Sequence, residues 1–113
     1  RAGLAADGGW RMKGKAPSKA ERGYHDRLAN VVGCIACRKD GRVNHHVSIH
    51  HIEGRTRPGC HMRVLPLCGP HHQPLAPGVE SVHGNKARFE AKYGKQADLQ
   101  AECNRILDRE VVA

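Results

Sequence analysis

Residues 48–72, SIHHIEGRTRPGCHMRVLPLCGPHH, hold five of the chain's nine histidines and two of its five cysteines. β-Branched residues at 47, 49 and 52, and the apolar run in MRVLPL at 62–67, flank the Gly- and Pro-containing segment EGRTRPGCH. That punctuation predicts two short strands joined by a long basic loop. Neighbouring strand residues point to opposite faces, so His50 and His51 should meet different partners. One can bind a metal while the other faces a nucleophilic water.

The residues on either side of this hairpin carry a second pattern. Cys34 and Cys37 form C-x-x-C, and Cys68 and His71 form C-x-x-H at the far end of the second expected strand. Each pair offers two soft ligands on one tight turn, and two such turns complete a closed tetrahedral zinc shell. The competing reading, a disulfide or redox pair, suits a basic intracellular chain with an odd cysteine count less well. Cys103 falls on the apolar face of a helix and reads as a small core residue. Cys60 lies outside both pairs and is left open as a substitute ligand. A zinc joining the two pairs would hold the hairpin's ends together and bring His72 close to His50 and His51.

Composition agrees with a need for such a staple. A chain of 113 residues buries only roughly 60 to 68% of its unfolded surface, and 4% aromatic content adds little to its core. No apolar run of about 18 residues is available to span a membrane, and no apolar leader core opens the chain, so a soluble intracellular protein is expected. The opening RAG without Met suggests a fragment. Nineteen Lys and Arg against 11 Asp and Glu give a net charge of +8, which favours a polyanionic partner.

Residues 1–17 mix Gly with basic residues and read as an irregular basic arm; residues 18–113 read as one domain. Ser18 and Glu21 stand in capping-box spacing ahead of a helix over 19–32, closed by a left-handed Gly33. After Cys68, Gly69 and Pro70 can start a helix that Pro74 and Pro77 keep short. Two longer helices are predicted, NKARFEAKY ending at Gly94 and ADLQAECNRILDREV, with Leu99, Cys103, Ile106, Leu107 and Val111 on one face. His25, His45 and His46 read as surface or hydrogen-bonded residues, whereas His61 has a claim to support the site or bind a metal. Arg55, Arg57 and Arg63 flank the histidine pair and could clamp phosphates. Lys86, Arg88, Lys92 and Lys95 extend the positive surface.

Together these motifs resemble the HNH, or ββα-metal, endonucleases over about residues 34–93. More narrowly, CIACR, HHIEGRTRPGCH, LPLCGPHHQ and VHG look like the Ref recombination-enhancement nucleases of phages, which cut DNA where a RecA filament has formed. The resemblance implies an α+β fold, a small zinc-stabilised ββα-metal domain with flanking helices and the basic arm. It implies His51 as general base, His50 as a metal ligand where many relatives carry Asp, and His72 as the second ligand. The residue four past His72 is Ala76, which cannot coordinate, so His83 is the substitute third ligand. The middle Asn of the HNH name has no counterpart in MRVLPL, leaving a backbone carbonyl or another polar group to orient His51.

The resulting expectation is a metal-dependent DNA endonuclease, a cytoplasmic monomer in the host bacterium if phage-encoded, directed by RecA on single-stranded DNA. Cys34, Cys37, Cys68 and His71 would hold a structural Zn²⁺. The catalytic cation would be Mg²⁺ or Mn²⁺, with Zn²⁺ able to occupy the same imidazoles in a crystal. Two rivals remain: a zinc-binding module that grips DNA without cutting it, and a toxin-like nuclease that needs no RecA.

Overall fold

The protein is described by a computed structural model over residues 15–112, so the expected arm lies outside the described residues up to residue 14. Helix α1 (Lys19–Arg27) starts where the sequence predicts: Glu21 N–H donates to Ser18 Oγ at 3.1 Å and Ser18 N–H donates to Glu21 Oε1 at 2.8 Å. This reciprocal cap satisfies two backbone donors that the first helical turn leaves open. The second half of the expected helix is different. Leu28–Val32 widens into a π turn, closed by Gly33 N–H donating to the Leu28 carbonyl.

Gly33 also departs from the left-handed helical end that was expected, taking φ 70° and ψ −159°. The reason is the knuckle that follows. Cys34 N–H donates to the Asn44 carbonyl at 2.8 Å, and a Cβ on Gly33 would lie 2.7 Å from that same oxygen. Only glycine accepts both the torsion and the close approach. The C-x-x-C pair is then carried by a short helix not expected from the sequence, α2 (Ile35–Lys39), with Cys34 as its N-cap.

The hairpin forms as predicted. Strands β1 (Val47–His51) and β2 (Val64–Cys68) pair antiparallel, with Val47 opposite Cys68, His50 opposite Leu65 and His51 opposite Val64. The long loop between them is not featureless, because Cys60–Met62 form a 3-10 turn. Every residue of β2 is buried, since β2 packs on α2, the π turn and the last helix as well as on β1. A one-turn helix, α3 (Gly69–His72), follows directly.

Helix α4 (Lys86–Tyr93) is capped by Asn85, whose side chain accepts from Arg88 N–H, and α5 (Gln96–Val112) closes the fold. Leu99, Cys103, Ile106 and Leu107 are buried, so the expected apolar face of α5 meets the core and Cys103 is a core residue. The Val111 side chain lies outside the described residues. Leu28, Ile35, Leu65, Leu67 and Phe89 complete the centre of a small α+β fold around a two-stranded sheet. Among the described residues no helix is long and apolar enough to cross a membrane.

Gly41 has a similar torsion, φ 84°, but open space where a Cβ would stand. Gly33→Ala should therefore cost about 1–3 kcal/mol from strain, plus the clash with Asn44, and lower Tm more than Gly41→Ala. Equal melting of the two variants by calorimetry would show that the Asn44 contact yields freely.

Candidate metal centres

Two groups of ligand-bearing side chains converge, and different parts of the fold build them. In the first, α2 supplies Cys37 with Cys34 at its cap, the end of β2 supplies Cys68, and α3 supplies His71. All four are buried, and their ligand atoms lie within 4.8 Å of one another. Cys37 Sγ is 3.7 Å from Cys68 Sγ, and His71 Nδ1 is 3.6, 3.6 and 3.2 Å from the sulfurs of Cys34, Cys37 and Cys68. Ordinary zinc bond lengths in a tetrahedron put sulfurs about 3.8 Å apart and sulfur from nitrogen about 3.6 Å. The donor set and its spacing therefore fit a metal such as zinc.

Burial pushes the Cys34 and Cys68 thiols up, against the lowering effect of hydrogen bonds within the cluster and aided by Coulombic repulsion from Cys37. Since a cation binds thiolates, loading this centre would release protons. The outer contacts orient the imidazole. His71 Nε2 lies 3.0 Å from Tyr93 Oη, whose hydroxyl donates to Asp40 Oδ2 at 2.8 Å. A phenol that gives its own proton to Asp40 accepts from Nε2–H, which leaves Nδ1 for the metal. Tyr93 is far from both cysteine pairs in sequence, Asp40 caps the helix that carries Cys37, and no local motif marks either.

The second group is His50, His72 and His83, also within 4.8 Å of one another. His50 comes from β1 and His72 from the end of α3. The Pro-rich loop returns His83 to them because Val82 N–H donates to the His71 carbonyl and His83 N–H to the His72 carbonyl. Their ring centroids are 5.0–5.2 Å apart. Gln96 Oε1 engages His50 Nε2 at 2.8 Å, while the Gln96 amide donates to Glu90 Oε2, which sets the amide's orientation. Ser48 Oγ holds His72 Nδ1 at 2.7 Å. These contacts leave His50 Nδ1 and His72 Nε2 as the open nitrogens.

Burial holds His50 down to about 4, against the raising effect of Gln96 and aided by His72 and His83. His72 is lowered by burial and then by His83. Imidazoles must be neutral to ligate, and these two already are near pH 7. The three histidines were legible in the sequence, but not Gln96, Glu90 or Ser48, whose roles exist only once α3, α4 and α5 are brought together with β1.

His51 points the other way from β1, as alternation requires. Its Nε2 lies 2.9 Å from His61 Nδ1, and the His25 ring stands edge-on to it. His51 is pushed down to about 4, first by burial and then by Arg55, His61 and His25. It nevertheless lines the same cavity of about 190 Å³ as His50, His72, His83 and Arg55. A neighbouring cleft of about 470 Å³ is lined by Lys15, Arg55, Arg57 and His61 among others.

The remaining candidates fall as follows. Arg63 donates to Glu53 Oε1 and the Pro58 carbonyl, so it braces the loop; Arg57 lies 3.9 Å from Glu53. Cys60 is buried in the 3-10 turn and belongs to neither ligand group. His25 bonds the His61 carbonyl and His45 the Ala29 carbonyl, so both are hydrogen-bonded, and His46 is exposed. Among the lysines and arginines expected to extend the positive surface, Arg88 lies 3.7 Å from Glu80 and Lys92 rests over the Tyr93 ring.

The two groups should respond differently to substitution. Cys37→Ser should lose about one equivalent of zinc and much of the melting temperature, because the binding energy of such a centre, about 10–16 kcal/mol, is folding energy. His72→Ala should keep that zinc and melt within a few degrees of the parent. Metal analysis with calorimetry checks both, and identical melting with one zinc retained in each would show that the groups are not separate.

A family model described as recombination enhancement, RecA-dependent nuclease matches residues 17–108. The match takes in both ligand groups, the hairpin and most of α5. On that match the chain belongs to the family of recombination-enhancement, RecA-dependent nucleases.

Proposed function

We propose that residues 18–113 form an HNH-type endonuclease domain that hydrolyses DNA phosphodiester bonds with a divalent cation, directed by a RecA filament on single-stranded DNA. In this reading β1, β2 and α3 are the ββα-metal unit. The observation that carries it is the shared cavity: three imidazoles capable of holding one cation, beside a fourth, His51, that belongs to neither ligand group.

His50, His72 and His83 would hold the cation. A set of three nitrogens suits manganese, nickel or zinc directly, whereas Mg²⁺ would complete its shell with water and phosphate oxygens. When bound, the cation supplies positive charge to the phosphoryl oxygens and to the departing 3′ oxygen. His51 removes a proton from water; the water oxygen bonds to phosphorus, the P–O3′ bond breaks, and solvent protonates the 3′ oxygen. The products carry 5′-phosphate and 3′-hydroxyl ends. Arg55 lines both clefts and is the best placed of the loop arginines to pair with a backbone phosphate. Such contacts position a duplex without reading its sequence.

In a plasmid-nicking assay with RecA, single-stranded DNA, ATP and Mg²⁺ or Mn²⁺, the parent should cut. His51→Ala should lose about 10²- to 10⁴-fold in rate, the usual contribution of a general base, with zinc content and melting unchanged. Binding without cleavage in every metal would instead make the chain a zinc-stabilised DNA-gripping module, and vigorous cutting without RecA would remove the filament from the account.

A further inference from the structure

We propose that His61 is a positioning residue: it fixes the tautomer of His51 so that Nδ1, the nitrogen available to water, carries the lone pair. This rests on the reading of His51 as the base, and it supplies the orienting group that the missing Asn leaves unassigned.

The inference follows from one carbonyl. His61 Nε2 lies 2.5 Å from the Lys15 carbonyl oxygen, which can only accept, so Nε2 must carry the proton. A neutral imidazole has a single N–H, so His61 Nδ1 is then an acceptor. Its partner at 2.9 Å, His51 Nε2, must donate. That leaves the unshared pair on the remaining ring nitrogen of His51, Nδ1; the Ile49 carbonyl, which also faces the ring, is the acceptor that would favour the opposite tautomer. When Nδ1 takes a proton from water, the resulting imidazolium keeps its Nε2–H directed at His61 Nδ1. No proton needs to leave the pair.

The surroundings hold His61 in this role. It is 5% exposed, and its own carbonyl accepts from His25 Nε2 at 2.7 Å. The planes of His51 and His61 stand at 81° with centroids 5.0 Å apart. His61 does not line the 190 Å³ cavity, so it would act through His51 and not on the substrate.

The test uses the full chain loaded with zinc and Mg²⁺, comparing the parent with His61→Ala and His61→Asn. The amide oxygen of Asn can accept where Nδ1 does. Long-range ¹H–¹⁵N NMR of the His51 ring should report the Nε2–H tautomer in the parent and in His61→Asn, and a mixture or the Nδ1–H tautomer in His61→Ala. Single-turnover cleavage on RecA-coated substrate should fall roughly 10- to 100-fold in His61→Ala, the range for losing a partner that orients an imidazole. KM for DNA should be unchanged, and His61→Asn should recover most of the rate. An Nδ1–H tautomer in the parent overturns the proposal, and so does a His61→Ala protein with parental tautomer and rate. If His61→Ala fails to fold, the parental spectrum and the Asn variant decide. Parental cutting by His51→Ala would refute the base assignment instead, a failure that the tautomer measurement keeps distinct.

Discussion

Three thiols and one imidazole meeting at a point is the constraint on which the rest of this structure depends. Cys34 and Cys37 belong to a knuckle after α1, whereas Cys68 and His71 belong to the end of β2 and to α3. A small core around Leu28, Ile35, Leu65, Leu67 and Phe89 would hold these segments only weakly in a chain of this size. A cation joining them would fix the far end of the hairpin and the start of α3 together. Everything placed by those two elements, His50, His51 and His72 included, would inherit that rigidity.

The same economy appears in how one dipeptide serves two environments. His50 faces the pocket with His72, His83 and Gln96; His51 faces His61 and His25. Strand alternation alone separates them. Burial then keeps His50 and His51 neutral, down to about 4 in each case, which suits one to ligate and the other to accept a proton. Around each imidazole a second partner sets which nitrogen is open: Tyr93 for His71, Gln96 for His50, Ser48 for His72, and His61 for His51. Four imidazoles thus have their free nitrogen chosen by the packing around them.

Membership of the recombination-enhancement, RecA-dependent nuclease family agrees with the chemistry that these groups support. A net charge of +8 favours an anionic polymer, and the loop arginines divide their work: Arg63 is spent on Glu53 and Pro58, while Arg55 opens onto the imidazole cavity. Charge composition could not have made that distinction, because it depends on where the loop backbone turns.

What could be read along the chain were features whose physics is local or periodic. Capping at Ser18 and Glu21, the hairpin, the one-turn helix limited by prolines and the apolar face of α5 all follow from spacing over a few residues. Paired ligands on tight turns made the cysteine cluster legible for the same reason. Other features required the folded chain. The π turn at Leu28–Val32 is one, and the unusual torsion of Gly33 accompanies the bond from Cys34 N–H to the Asn44 carbonyl. His83 joins the site through backbone pairing of residues 82 and 83 with 71 and 72, and Gln96, Tyr93, Asp40 and His61 act on residues at least ten positions away. Sequence spacing determined which residues could form the cysteine cluster, since that depends on donor type and turn geometry. Tertiary packing alone decided which nitrogen each offers, because a hydrogen-bond partner from a distant segment sets the tautomer.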